Sequence, residues 1–334
     1  MPSSEAPLRP PSEPRAKTAL FARGALGRAG PRIQRFIRAR QLIAGIPSLW
    51  LALFFLIPFL IVLEISFSEP RLAIPPYAPL IAWLHGWPVP HIHLSSYAEL
   101  FTDPLYLRSY LYSIMVAAVS TLICLGLGYP MAYAIARAGE AWRTFLLMLI
   151  ILPFWTSFLL RVYAWIGLLQ NDGLINDVLL RLGLVHHPVT LLQTDFSLYI
   201  GIVYSYLPFM ILPLYANLEK HDPALLEAAA DLGARPLTAF LRVTLPQSLP
   251  GIAAGSLLVF IPAVGEYVIP TLLGRTDQIM IGRILSDEFF DNRNWPVASG
   301  VAILILLLLV VPIVLLQRVE RRQLDAQPVE EAGA

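Results

Sequence analysis

The chain has 334 residues, 57% of them hydrophobic and only 14% charged, with a mean hydropathy of +0.64. Soluble domains average about 25% charged and about 45–50% apolar residues, so this composition excludes an ordinary water-soluble fold and points to a chain that lives in a bilayer. A net charge of +1 provides no general attraction for nucleic acid, and the single Cys124, inside an apolar run, excludes an intramolecular disulfide.

Residues 1–40 are rich in Pro, Arg, Ala and Ser and hold nine basic residues between Arg9 and Arg40. They contain no apolar run with a small-residue cleavage site. We therefore read them as a disordered basic cytoplasmic tail, serving as a topology signal or as a contact for anionic membrane lipid. Residues 41–320 then form the membrane domain, and 321–334 a second cytoplasmic tail.

Six spans are predicted, at Ala44 to Phe67, Tyr110 to Ala136, Thr144 to Leu169, Leu198 to Leu218, Gly251 to Leu273 and Val297 to Gln317. Each is long enough for a hydrocarbon core of about 30 Å. The fold class is all-α integral membrane. Prolines fall inside the spans, among them Pro58, Pro130, Pro153, Pro208, Pro213, Pro262, Pro270 and Pro312, so kinked helices are expected. With the N-terminus inside, 17 of the 24 Lys and Arg residues fall on the cytoplasmic side and 7 do not, which places both termini in the cytoplasm.

The segment between the first two spans is too Pro-rich for regular structure. Its His91 and His93 form an H-x-H with no evident third ligand, so no metal centre is expected. The outer loops carry ten acidic residues against six basic ones, an excess that suits a cation or a basic partner surface as well as plain solvation. No internal repeat is visible, which argues against a secondary transporter built from two halves.

The polar stretch Asp222 to Pro246, between the fourth and fifth spans, reads as two short helices. Asp222 suits an N-cap, Pro223 the first helical position, and Gly233 the stop, with Pro236 opening the second helix. Leu225, Leu226, Ala229 and Leu232 then share one side. Charge counting puts this helical pair in the cytoplasm, where it must pack against something outside the membrane.

Inside the spans only Glu266 and Arg161 are clearly ionisable. An acid in mid-span is costly unless it faces water or a cation, pairs with Arg161, or is protonated and bonded to a carbonyl. A lone acid and a lone base on separate spans do not make an intramembrane enzyme. With no H-E-x-x-H, no G-x-S-x-G and no Walker A sequence, the chain is not expected to hydrolyse ATP.

The motif at Glu227 to Ala229, with Gly233 four residues past Ala229 and V-T-L-P at Val243 to Pro246, resembles the EAA signature of permease subunits of binding-protein-dependent ABC importers. Val243 stands where that family commonly has Ile. Over residues 41 to about 318 the chain also resembles the spermidine/putrescine importer permeases, the putrescine-system member most closely. That resemblance is carried by L-P-F-W-T-S-F-L-L-R-V-Y-A-W (Leu152 to Trp165), Y-L-P-F-M-I-L-P-L-Y (Tyr206 to Tyr215), F-I-P-A-V-G-E-Y-V-I-P (Phe260 to Pro270) and N-W-P-V-A-S (Asn294 to Ser299).

The resemblance implies a bacterial inner-membrane protein with the type I ABC importer permease fold. Its implied partners are a cytoplasmic ATPase dimer that binds the ATP and Mg, a second permease in a heterodimer (a homodimer stays open), and a periplasmic or lipid-anchored polyamine-binding protein. No cofactor is implied on this chain. Glu227, Ala228, Ala229, Asp231, Gly233, Leu245 and Pro246 become ATPase-coupling residues, although Glu227 alone would also pass for an exposed helix carboxylate. Glu266 becomes a contact for a polyamine ammonium, with Trp155, Tyr163, Tyr204, Tyr206 and Tyr267 as aromatic lining of the path. Each of these aromatic residues by itself would also serve as packing or as an interface anchor. A permease for thiamine, ferric iron or sulfate would keep the coupling segment without needing Glu266.

Overall fold

The computed structural model describes residues 45–84 and 87–325, so the basic N-terminal tail, Ala44 at the start of the first predicted span and the end of the C-terminal tail lie outside the described residues. Two compact units divide the chain between Ile61 and Val62. The first contains most of helix α1 (Gly45–Ser66), most of whose apolar side chains from Ile46 to Ile61 are exposed. It includes a π-helical turn at Ala52–Leu56, and the rings of Trp50 and Phe54 lie 4.2 Å apart.

The second unit includes the segment between the first two predicted spans, where the expectation of no regular structure is overturned. Strand β1 (Ile81–Leu84) pairs antiparallel with β2 (Trp87–Pro90), with Ile81 opposite Pro90 and Leu84 opposite Trp87. A two-stranded ribbon is all edge. Pro88 and Pro90 are two positions apart, so both can occupy sites whose missing N–H points away from the partner strand.

Helix α2 (Ser95–Thr102) leads to α3 (Pro104–Arg137), started by the Asp103 side chain, which accepts from Leu105 N at 2.8 Å. The third predicted span is two helices: α4 (Glu140–Ile151) continues as a 3-10 turn at Leu152–Trp155, and α5 (Phe158–Leu169) leaves it at 90°. After α6 (Leu174–Arg181), α7 (Asp195–Leu218) opens with a capping box between Thr194 and Ser197. Pro130, Pro208 and Pro213 sit inside helices that run on without a break.

The polar stretch forms α8 (Pro223–Asp231) and α9 (Pro236–Gln247), the latter with a π-helical turn at Phe240–Thr244. Helix α10 (Leu249–Val264) follows at 63°, then α11 (Val268–Leu273), α12 (Ile281–Ser286, ending in a π-helical turn at Asp287–Asp291) and α13 (Trp295–Asp325). The last helix continues to Asp325, through the first residues assigned to the tail. Helices α1, α3, α7 and α13 are long and apolar enough to cross a membrane, and the two bent pairs bring the number to six if each counts as one span.

Helices α3, α7 and α10 form the centre of the bundle. Val116 and Ala117 of α3, Leu198 and Ile202 of α7, and Ala263 and Val264 of α10 share one buried cluster with Val162 of α5 and Ile269 and Leu273 of α11. A second cluster, nearer the α8 end, joins Cys124 and Ala132 to Met210, Ile211 and Leu214 and to Val259. Polar ties fix the outer elements to this core. Ser197 Oγ donates to Leu273 O at 2.6 Å, and Ile281 N donates to Ser113 Oγ at 2.8 Å.

Candidate functional site

The fifth predicted span is interrupted at the residue of greatest interest. Glu266 was expected in mid-helix; it lies instead in a non-helical break, Gly265 to Tyr267, between α10 and α11. Pro270 supplies the reason. In a continuous helix its ring would clash with the carbonyl of residue 266, whereas three places into a new helix its missing N–H is not needed.

The break leaves N–H groups unpaired at the start of α11, and the Glu266 side chain takes them up. Its Oε1 accepts from Val268 N at 2.9 Å and Ile269 N at 3.4 Å, while Oε2 accepts from the Tyr206 hydroxyl of α7 in a short bond. The side chain is nearly closed off, at 8% exposure. Neither structural alternative considered for Glu266 is what the structure contains: Arg161 is not its partner, and its bonds come from donors rather than from a carbonyl. Gly282 at the start of α12 backs onto the same break. A Cβ there would run into the Gly265 carbonyl oxygen first and would lie 2.7 Å from that of Glu266, so only glycine allows this approach.

Of the predicted aromatic lining, the structure brings Tyr206 to Glu266 directly, and Tyr267 follows it in the chain with half its surface exposed. Tyr204 stands edge-on to Trp165, with ring centres 5.5 Å apart. Trp155, on the 3-10 turn, and Tyr163, on α5, are exposed at 83% and 58% and make no ring contact with this group among the described residues. Sequence reasoning missed the inner aromatic layer: Phe154 meets Phe209 at 5.1 Å, and Phe209 meets Tyr206 at 6.1 Å. The spacing of Tyr206 and Phe209, one turn apart on α7, was the available signal.

The segment Asp222 to Pro246 forms as expected locally. Asp222 caps α8 by accepting from Ala224 N at 2.9 Å, and Gly233 ends it with a φ of +79° that other residues rarely adopt. Glu227, Ala228, Asp231 and Gly233 are exposed, Ala229 is half-buried, and Leu232 is 89% exposed, so α8 presents an uncovered face. Leu245 and Pro246 close α9, where it turns into α10.

What ties this segment to the bundle was not read from sequence. Phe240 of α9 stands edge-on to Tyr129 and Tyr133 of α3, with ring centres 5.6 and 6.0 Å apart, and the Tyr129 hydroxyl lies 2.9 Å from Ser248 Oγ. Nearby, Arg143 Nη1 donates to Glu219 Oε1 at 2.9 Å, linking α4 to the end of α7. Burial holds the His221 imidazole below its ordinary range; the Gln247 backbone opposes this and Arg137 adds to it. In the segment between α1 and α2 the His91 and His93 rings stack 6.4 Å apart, and His93 Nε2 lies 3.9 Å from Glu69.

Residues 124–324 match the family model described as binding-protein-dependent transport system inner membrane component. The chain is 40% identical over 254 residues to the spermidine/putrescine transport system permease protein PotB of Haemophilus influenzae, covering 76% of this chain and 84% of that one. It is 38% identical to PotB of Escherichia coli K12, covering 76% and 88%. The fold also matches the crystal structure of a bacterial ABC transporter involved in import of the acidic polysaccharide alginate, with a TM-score of 0.67 at 17% identity over 87% of this chain and 99% of that one. At that identity the likeness concerns the fold alone, which is that of type I ABC importer permeases.

Proposed function

The chain belongs to the family of inner membrane components of binding-protein-dependent transport systems, and from that premise we propose that it is the permease subunit of an ATP-driven polyamine importer, with putrescine as its main substrate. The observation that carries the substrate class is the Glu266 carboxylate, nearly buried at a helix break and framed by Tyr206 and Tyr267. A carboxylate held in a low-dielectric site favours an ammonium group, and aromatic faces beside it add cation–π attraction. The names of the similar PotB proteins support the same class.

The chain carries no nucleotide-binding motif, so the energy enters through a separate ATPase dimer that binds ATP and Mg. We assign the contact to the exposed face of α8, where Glu227 offers a carboxylate and Ala228 and Ala229 permit close approach, with Asp231, Gly233, Leu245 and Pro246 setting the turn into α10. That assignment requires α8 in the cytoplasm, the orientation the excess of Lys and Arg favours, with both termini on the same side. A second permease completes the pathway as a heterodimer, and a periplasmic or lipid-anchored binding protein delivers substrate to the outer segments.

The test is uptake of labelled putrescine and spermidine by the reconstituted complex, with and without the ATPase. ATP-dependent uptake with putrescine preferred is the expected result. ATPase stimulation by a binding protein loaded with a different solute, without polyamine uptake, overturns the substrate assignment.

A further inference from the structure

Arg161 of α5 is, besides Glu266, the other side chain read as charged deep within the predicted spans, and no described residue answers its charge. Its guanidinium carbon lies 5.4 Å from the Phe154 ring centre and 5.9 Å from that of Phe158. Nε and Nη1 are buried with no hydrogen-bond partner, and no described carboxylate comes within ion-pair distance. Glu266 is engaged elsewhere, and the layer of Phe154, Phe209 and Tyr206 stands between the two charges.

The depth of Arg161 follows from its neighbours. Arg143, near the start of α4, is bonded to Glu219 at the end of α7, so the two helices are level there. From Glu219 back to Phe209, α7 rises about 15 Å. That is about half of a hydrocarbon core of about 30 Å. Phe154 meets α7 at this level, and Trp165, four residues past Arg161, meets it at Tyr204, farther up. Arg161 therefore lies deep between the two bilayer surfaces, away from the phosphate groups of lipid.

A guanidinium does not lose its proton in proteins, and cations at such depth face the protein interior and are paired. Aromatic faces supply part of that pairing. The edge carrying Nε and Nη1 still requires an acceptor, and an anionic one at this depth must come from a protein chain.

We infer that Arg161 is an anchor between subunits: it pairs with a carboxylate in a membrane span of the second permease subunit. This rests on the two-permease reading above, and the test separates the two. The whole transporter is purified through a tag on this chain, and the retained second permease is measured for the unmodified chain and for Arg161→Lys, Arg161→Gln and Arg161→Glu.

The unmodified chain should retain the partner, Arg161→Lys most of it, and Arg161→Gln and Arg161→Glu at least tenfold less. Exchange of one intramembrane acid of the partner for Arg should restore retention to Arg161→Glu. Because the Gln and Glu variants risk misfolding, a photoreactive residue in place of Leu160, which is 68% exposed beside an intact Arg161, provides a second reading and should cross-link to the partner permease. Loss of the partner from the unmodified chain overturns both readings. Equal retention by all four chains, or cross-linking from position 160 to lipid alone, overturns this inference and leaves the two-permease reading in place.

Discussion

Replacing Glu266 by Gln separates the two roles that its position allows, capping α11 and meeting a cationic substrate. The side chain accepts three hydrogen bonds, two on Oε1 and one on Oε2, and each carboxylate oxygen has two acceptor positions, so Oε2 keeps one free. In Glu266→Gln the amide oxygen still accepts from Val268 and Ile269, and the Tyr206 hydroxyl can turn to accept from the amide nitrogen. The bonds survive but lose their charge assistance, from about 1.5–3 kcal/mol each to about 0.5–1.5, and because a neutral amide costs less to bury than a carboxylate, which offsets part of that loss, a net stability loss of about 1–2 kcal/mol is expected. The loss to transport is larger. An ammonium about 4 Å from a carboxylate is worth about 4 kcal/mol at an effective dielectric constant of about 20. Allowing for desolvation, about 2–4 kcal/mol should disappear, a fall of roughly 30-fold to 1000-fold in apparent affinity or uptake efficiency. The assay is the initial rate of labelled putrescine uptake by proteoliposomes holding the complete transporter, alongside thermal unfolding in detergent. Uptake within threefold of the unmodified protein, with only the stability lowered, would show that Glu266 caps a helix and nothing more.

Three other substitutions probe the parts that hold this site and its connection to α8. Ala228→Leu, on the exposed face of α8, should leave stability within about 0.5 kcal/mol because no described residue covers it. It should nevertheless cut substrate-stimulated ATPase activity of the complex at least tenfold; stimulation that survives would remove α8 from the coupling surface. Gly282→Ala must push a Cβ away from the Gly265 and Glu266 carbonyls, at about 1–3 kcal/mol, and should lower both the melting temperature and putrescine uptake. For His221, whose folded pKa is depressed by burial, the unfolded chain binds the proton first as pH falls. Stability should be full above the ordinary value of 6.5 and decline as pH drops from there toward the lower folded value, and His221→Asn should flatten that slope in a melting series.

The placement of helices was largely legible because apolar runs of bilayer length leave few alternatives. Four of the six predicted spans correspond to single helices. The other two did not remain whole, and the reason is tertiary as well as local. Nine prolines were visible in the spans, yet Pro208 and Pro213 ride inside α7 undisturbed while Pro270 coincides with a break. What distinguishes Pro270 is that the residue whose carbonyl it would strike is Glu266, whose own side chain is able to satisfy the N–H groups freed by the break. The hairpin of β1 and β2 was missed because proline content was weighed without its spacing. In the Asp222 to Pro246 segment the caps were legible from Asp222 and Gly233, while the grip of Phe240 on Tyr129 and Tyr133 depends on residues about 110 positions apart, beyond the reach of local pattern.

That grip connects the two candidate sites mechanically. Helix α9 is held against α3 by Phe240, and at its end the chain turns through 63° into α10, with Ser248 at the corner beside the Tyr129 hydroxyl. Helix α10 runs sixteen residues, about 24 Å, and stops at Gly265. A helix that length is stiff, so a displacement applied to α8 and α9 must appear either as bending at the Ser248 corner or as movement of the break that carries Glu266. The break is the softer end. It is held by hydrogen bonds from Tyr206, Val268 and Ile269 and by the close approach of Gly282, whereas the corner is packed with three aromatic rings. A shift of α10 relative to α7 would first stretch the bond from Tyr206 to Glu266, because its two partners lie on those two separate arms. On the function proposed above, motion at α8 would then alter the acceptor capacity of the Glu266 carboxylate, the property that an importer of cations has to change between taking its substrate and releasing it.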